Sequence, residues 1–170
     1  MKHFAIVFFV IIFSAVGYLY LTKAGWYPAA IVNSKIIWGR SLNKATKAAI
    51  YYYKKTADVE PDYKEVRQAT LENMVEEILI SQKLLEVLNQ VELTASLQDI
   101  LDDHLNKPQL EPAAALLYGL KLKDFYNLVL VPQAERELLE KKMTETGESF
   151  EEWLQKAKQS ANIVYITKEF

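Results

Sequence analysis

Between positions 63 and 91 apolar residues return at steps of three and four, at Leu71, Met74, Val75, Ile78, Leu79, Leu84, Leu85, Val87 and Leu88. That is the period of a helix and not of a strand. Pro61 ahead of the run, with Asp62 and Glu65 at its start, supplies a helix-start signal, while Glu72, Glu76, Glu77 and Lys83 keep one flank polar. The apolar positions cover more than one stripe. This helix is therefore expected at the centre of a helical domain, with neighbours on two sides and its Leu and Ile residues in the core.

The flanking patterns predict the remaining elements. Two apolar runs within residues 29–37, separated by Asn33, Ser34 and Lys35, read as a small hairpin or as a strand followed by a turn. Ser41 is the expected N-cap of a helix through residue 55, with Leu42, Ala45, Ala49, Ile50 and Tyr53 on one face. Thr94 is the expected cap of a helix over residues 95–106 that Pro108 ends. Residues 111–119 form a short helix closed by Gly119, and Pro132 kinks or divides a long helix over residues 122–144. After a loop at 146–148, Ser149 caps a further helix, and residues 163–166 have the β-branched and aromatic content of a strand. The expected fold is mainly α, with a small sheet that pairs the first and last strands.

The front of the chain is different in kind. Residues 4–21 carry no charge, and about 18 residues at about 1.5 Å rise nearly cross a hydrocarbon core. Tyr18, Tyr20, Trp26 and Tyr27 stand where interfacial aromatics belong at its far end. Residues 1–23 are read as a single transmembrane anchor, residues 24–28 as a linker and residues 29–170 as the domain. The competing reading is a signal peptide cleaved near Ala15, Val16 and Gly17. In either case the expected topology places the N-terminus in the cytoplasm and the bulk outside it. The charge asymmetry supports this weakly, because Lys23, Lys35 and Arg40 follow the segment, so the expectation rests on its N-terminal position.

Composition narrows the chemistry. Hydrophobic residues make up 51% and charged residues 25%, with only 5 Gly and 5 Pro, as suits a folded and mostly helical chain. The absence of cysteine removes disulfides, thiol catalysis, cysteine-ligated metals and a lipoprotein anchor, and is compatible with an oxidising compartment. Setting aside Lys2 and Lys23 leaves 18 Lys and Arg against 22 Asp and Glu, with no basic block, so nucleic acid is not an expected partner.

The order of these segments resembles the N-terminal chaperone domain of the SurA and PrsA type of extracytoplasmic bacterial foldases. The stretch AAIVNSKII resembles the family's opening strand and turn, although the Asn33–Ser34 step lacks the glycine often found there. The pattern Leu71, Val75, Glu76, Ile78, Leu79, Gln82 and Leu85 resembles its central helix, and Phe125, Val129, Leu130, Pro132, Gln133 and Arg136 its next long helix. The stretch FEEWLQKAKQSANIVYI resembles the closing helix and strand. The resemblance covers most of residues 29–166. It implies a bacterial cell-membrane protein whose helical domain binds unfolded or secreted polypeptides. In many members a parvulin prolyl-isomerase module lies between the last two segments, where this chain has only residues 144–149. A module of that size does not fit, and neither His3 nor His104 matches its histidines, so the resemblance does not carry isomerase activity over.

Among the residues themselves, Asp102, Asp103 and His104 form the one cluster with a catalytic look. Consecutive helical side chains diverge by about 100°, so the three read as a solvated helix end. The pairs Glu76–Glu77 and Glu151–Glu152 likewise read as solvating faces. No nucleophile-elbow, zinc-protease, P-loop or dinucleotide fingerprint occurs, and neither an enzyme nor a cofactor is expected. The aromatics offer more. Candidate client-binding residues are Trp38, Tyr52, Tyr53, Tyr118 and Tyr126 with Met143, and Met74 beside them, as lining of a groove for extended apolar segments. The expected function is that of a membrane-anchored holdase without catalysis. An adaptor for one dedicated envelope partner is the alternative, and an isomerase-family protein with residual activity a weaker one.

Overall fold

A computed structural model describes residues 24–57, 60–105 and 109–166, apart from the side chains of Asp103 and His104. The expected anchor at residues 1–23 and the stop at Pro108 lie outside the described residues, as do those two side chains of the acidic cluster. Among the described residues, no helix is long and apolar enough to cross a membrane.

The chain opens with β1 (Pro28–Val32) and β2 (Lys35–Trp38), an antiparallel pair in which Val32 faces Lys35. Asn33 and Ser34 therefore form a two-residue turn, and both have left-handed φ, 45° and 72°, as a type I′ hairpin demands. Tertiary hydrogen bonds hold it without glycine. The Asn33 amide nitrogen donates to Gln82 Oε1 at 3.0 Å, its N–H donates to the Asn162 carbonyl, and its Oδ1 accepts from the Asn162 N–H. The last strand, β3 (Ile163–Tyr165), pairs antiparallel with the other edge of β1, giving the order β2-β1-β3. First and last strands do pair, and β2 adds a third.

Helix α1 (Gly39–Thr56) begins two residues before the expected cap at Ser41. Its first N–H groups, on Gly39 and Arg40, donate to the carbonyls of Tyr27 and Gly25, each at 2.8 Å. The backbone of the supposed linker thus satisfies donors that a serine side chain was expected to meet. Gly39 allows that close docking, since a Cβ there would run into the Tyr27 ring.

The central helix is α2 (Tyr63–Val87), with Asp62 as N-cap accepting from the Lys64 N–H at 2.6 Å. Leu71, Val75 and Leu79 pack under the sheet with Val32, Ile37 and Leu42, while Ile80 and Leu84 join a second cluster. The helix therefore has neighbours on two sides. Leu85 does not follow the expectation of burial. It is about half exposed, because it is turned about 100° from Leu84.

Helix α3 (Gln90–Leu105) also starts earlier than Thr94. Asn89 Oδ1 accepts from the N–H groups of Val91 and Glu92, and Glu92 Oε2 accepts from the Asn89 N–H, a reciprocal capping box. Helix α4 (Leu110–Tyr118) closes on Gly119 at φ 63°. Next come α5 (Leu122–Phe125) and a π-turn (Tyr126–Leu130), in which the Val131 N–H reaches the Tyr126 carbonyl. The wider turn immediately precedes Pro132, which has no N–H to give; the backbone stays right-handed helical through it, so the helix accommodates the proline with a π-turn and is not divided. Helix α6 (Val131–Thr146) then runs to Gly147 at φ 76°, and α7 (Phe150–Ser160), capped by Ser149, leads into β3.

The second cluster joins α2, α3, α6 and α7 through Ile80, Leu84, Leu93, Leu138, Leu139, Met143, Phe150 and Leu154. A third fills the space between α1, α3, α4, α5, the π-turn and α6. Arg67 is buried, and its guanidinium donates to Asn43 Oδ1 at 2.6 Å and to the Tyr27 hydroxyl at 3.3 Å. It ties α2 to α1 and to the segment ahead of the sheet.

Candidate functional site

The six expected client-binding residues divide among four places. Tyr52, Tyr53 and Tyr118 come together where the last turns of α1 meet α4. The Tyr52 and Tyr118 rings stack at 5.0 Å, Tyr53 stands edge-on to Tyr52 at 6.3 Å, and Phe125 lies 5.1 Å below Tyr118. Tyr51 completes the patch, its ring against Gly119 and the Lys55 ammonium 5.6 Å from its centre. A side chain on Gly119 would press on that ring. Burial, with Tyr52 beside it, holds the Tyr118 hydroxyl above its ordinary range. Tyr51, Tyr52 and Tyr53 are all more than a third exposed.

Tyr126 sits on the π-turn, half-buried against the third cluster. Trp38 belongs to a different surface, at the end of β2, where it meets Trp26 at 6.4 Å. Met143 joins neither. It is 3% exposed inside the second cluster, because position 143 faces α2 and α7 and not solvent, so it is a core residue and lines no groove. Met74 is half-buried against the sheet cluster.

Beside the π-turn lies a feature where only solvating charge is expected from the sequence. A shallow hollow of about 300 Å³ lies between α2 and the start of α6, lined by Asn73, Glu76, Glu77, Ile80, Leu128, Val129, Pro132, Gln133 and Arg136. Glu76 is not a free solvating charge, since its carboxylate meets Lys158 at 2.8 Å and Arg136 at 3.7 Å. Arg136 also contacts Glu140 and Glu151 and lies over the Phe150 ring at 4.9 Å. Burial pushes the Glu77 carboxyl up to about 7, with the carboxylates of Glu135 and Glu76 adding to the effect. Burial raises Glu135 as well, against a hydrogen bond with Ser81. The signal was present in the sequence as Asn73, Glu77 and Ser81, a polar stripe at four-residue steps along a helix that is apolar on two sides.

The hollow can hold a proton near neutral pH. Among the described residues no group of three or more His, Cys, Asp or Glu could hold a metal ion. The tyrosine patch supplies ring faces with hydroxyl rims, suited to stacking on apolar and aromatic side chains with little demand for one partner geometry.

No family model matches the chain, and no curated protein or solved structure matches it.

Proposed function

We propose that this protein is a membrane-anchored extracytoplasmic holdase, a helical domain of the SurA and PrsA type without the parvulin module, which binds unfolded polypeptides through its tyrosine patch. The observation that carries the reading is the patch itself. Three consecutive tyrosines remain more than a third exposed on α1, and Tyr118 of α4 is stacked against Tyr52. Leu116 on the same short helix is 64% exposed. Rigid aromatic rings held by mutual stacking lose little entropy when they receive an apolar segment, and their hydroxyls tolerate a wet rim. Apolar burial without any bond-making step is the chemistry of a holdase. The mainly helical fold with its small antiparallel sheet agrees with the element order on which the resemblance stands.

The test is aggregation suppression by the full chain in nanodiscs, against two unrelated unfolding proteins. Both are expected to be protected. Replacing Tyr52 and Tyr53 by serine is expected to reduce protection severalfold while the far-ultraviolet circular dichroism stays that of the wild type, because both side chains project from α1. Protection unchanged by the double substitution sinks the assignment to the patch. Protection of neither protein favours a dedicated envelope partner instead.

Orientation has its own test. The chain lacks cysteine, so Ser149→Cys introduces a single thiol. In intact cells that thiol is expected to react with a membrane-impermeant maleimide, and reaction only after lysis would place the domain in the cytoplasm.

A further inference from the structure

Antiparallel sheets usually turn an apolar face to the core and a polar face to water. This sheet departs from the rule. Val32, Ile37 and Ile163 face the core, so Ile36, Ile31 and Val164, which stand directly opposite one another across the three strands, form a row on the outer face. Ile36 is 44% and Val164 48% exposed. Trp38, two positions beyond Ile36, extends that face, and its ring meets Trp26. A row of Ile, Ile and Val ending in two exposed tryptophans is not how a folded surface meets water.

We infer that this outer sheet face rests on the membrane interface, against the headgroup and upper acyl region of the bilayer that residues 4–21 enter. The inference depends on the reading of residues 4–21 as an anchor. Reach is the first reason. Only residues 22–25 separate the apolar segment from Trp26, and four residues span at most about 14 Å. Rigidity is the second. The carbonyls of Gly25 and Tyr27 are bonded to the first N–H groups of α1, so the chain from Gly25 onward is fixed to the domain and leaves only residues 22–24 between it and the apolar segment. Charge is the third. Lys23, Lys35 and Arg40 lie in or near the sheet in sequence, and residues 1–57 carry no Asp or Glu, whereas residues 58–170 carry 22. Lys35 opens β2, and Arg40 follows it with its guanidinium 6.0 Å from the Trp26 ring. Tryptophan paired with arginine suits the headgroup level, and a basic margin suits anionic lipid. The tyrosine patch lies toward the other end of α1, about 20 Å away along the helix, so a seated sheet leaves it free for clients.

The three tryptophans make the experiment direct. Trp153 packs on the core, whereas Trp26 and Trp38 flank the sheet face. The full chain is placed in nanodiscs of phosphatidylcholine and phosphatidylglycerol brominated high on the acyl chain. One variant keeps Trp38 alone (Trp26→Phe with Trp153→Phe), and the other keeps Trp153 alone. Trp38 emission is expected to be quenched severalfold more strongly than that of Trp153, and adding Ile36→Asp and Val164→Asp is expected to relieve it. If the chain co-purifies with nanodiscs while Trp38 is quenched by acrylamide and not by bromolipid, the face is open to water and the inference falls with the anchor intact. If Trp38 is shielded from both quenchers, a second copy or another polypeptide covers the face, and the inference falls in the same way. If the chain does not stay with the nanodiscs, the anchor reading fails and takes the inference with it.

Discussion

Leu84→Ala is expected to lower the unfolding free energy of the domain by about 3 kcal/mol. Leu84 is fully buried where α2, α3, α6 and α7 converge, and Leu139, also fully buried, belongs to the same cluster. Removing its branched end forfeits transfer energy and leaves a void that four helices cannot all move to fill. Collapse is resisted further by the ion pairs of Arg136 with Glu76 and Glu151, which link α6 to α2 and α7 beside the site. In a domain of this size the loss corresponds to a fall of about 6–12 °C in Tm. Leu84→Met, which conserves volume, is expected to cost less than about 1.5 kcal/mol. The internal control is Leu85→Ala, one residue on and half exposed, with an expected effect within about 0.5 kcal/mol. Urea unfolding of the three variants decides it. Equal losses for Leu84→Ala and Leu85→Ala would mean that the second half of α2 does not face α6 and α7 in this way.

Glu77→Gln is expected to stabilise the protein above neutral pH and to leave it little changed near pH 5. The Glu77 carboxyl is raised from 4.5 to about 7 by burial and by Glu135 and Glu76. Between those two values the folded chain keeps a proton that the unfolded chain has released. Raising the pH across that window therefore removes stability, and by pH 8 the loss from this group is complete. Glutamine has no proton to lose. The variant's advantage at pH 8 over pH 5 is about 2 kcal/mol, after allowance for screening at the rim of the hollow. Glu60 and Glu145 are shifted the opposite way by Lys54 and Lys142, so their contribution is present at neutral pH and fades on acidification. Comparing wild type and variant at each pH cancels those exposed pairs. An advantage of equal size at pH 5 and pH 8 would show that Glu77 titrates as an ordinary surface carboxylate.

Local signals were reliable where the chain supplies its own partner. Ser149 caps the helix that follows it and Gly119 closes its own at left-handed φ, while Asp62, expected in the first turn, is the cap of α2. They failed where a donor came from afar. The start of α1 is satisfied by carbonyls some 13 residues earlier, Gly25 and Tyr27, and no sequence window of one helical turn contains them. At α3 the cap signal is Asn89 with Glu92 three residues on, and the Thr94 hydroxyl bonds back to the Gln90 carbonyl instead of capping.

The candidate site was legible only in its residue types. Tyr51, Tyr52 and Tyr53 spread around α1, so at least one is expected to be exposed or to line a groove. That Tyr118 would stack on Tyr52, that Trp38 would stand with Trp26, and that Met143 would turn inward depended on how α1, α4, α6 and the sheet are juxtaposed.

What the amino-acid sequence determined by itself is the set of elements. The helical period of α2, the β-branched content of the strands and the punctuation by Gly and Pro all arise from interactions within a few residues. The tertiary structure decided which surfaces those elements leave uncovered. An apolar row in β2, β1 and β3 is core or surface according to what lies across from it, and here α2 covers one face and leaves Ile36 and Val164 out. The same holds for Glu76 and Glu77, adjacent in sequence, one neutralised by Lys158 and Arg136 and the other pressed toward Glu135. A charge's neighbours in space set its free energy, and space is assigned only when the helices pack.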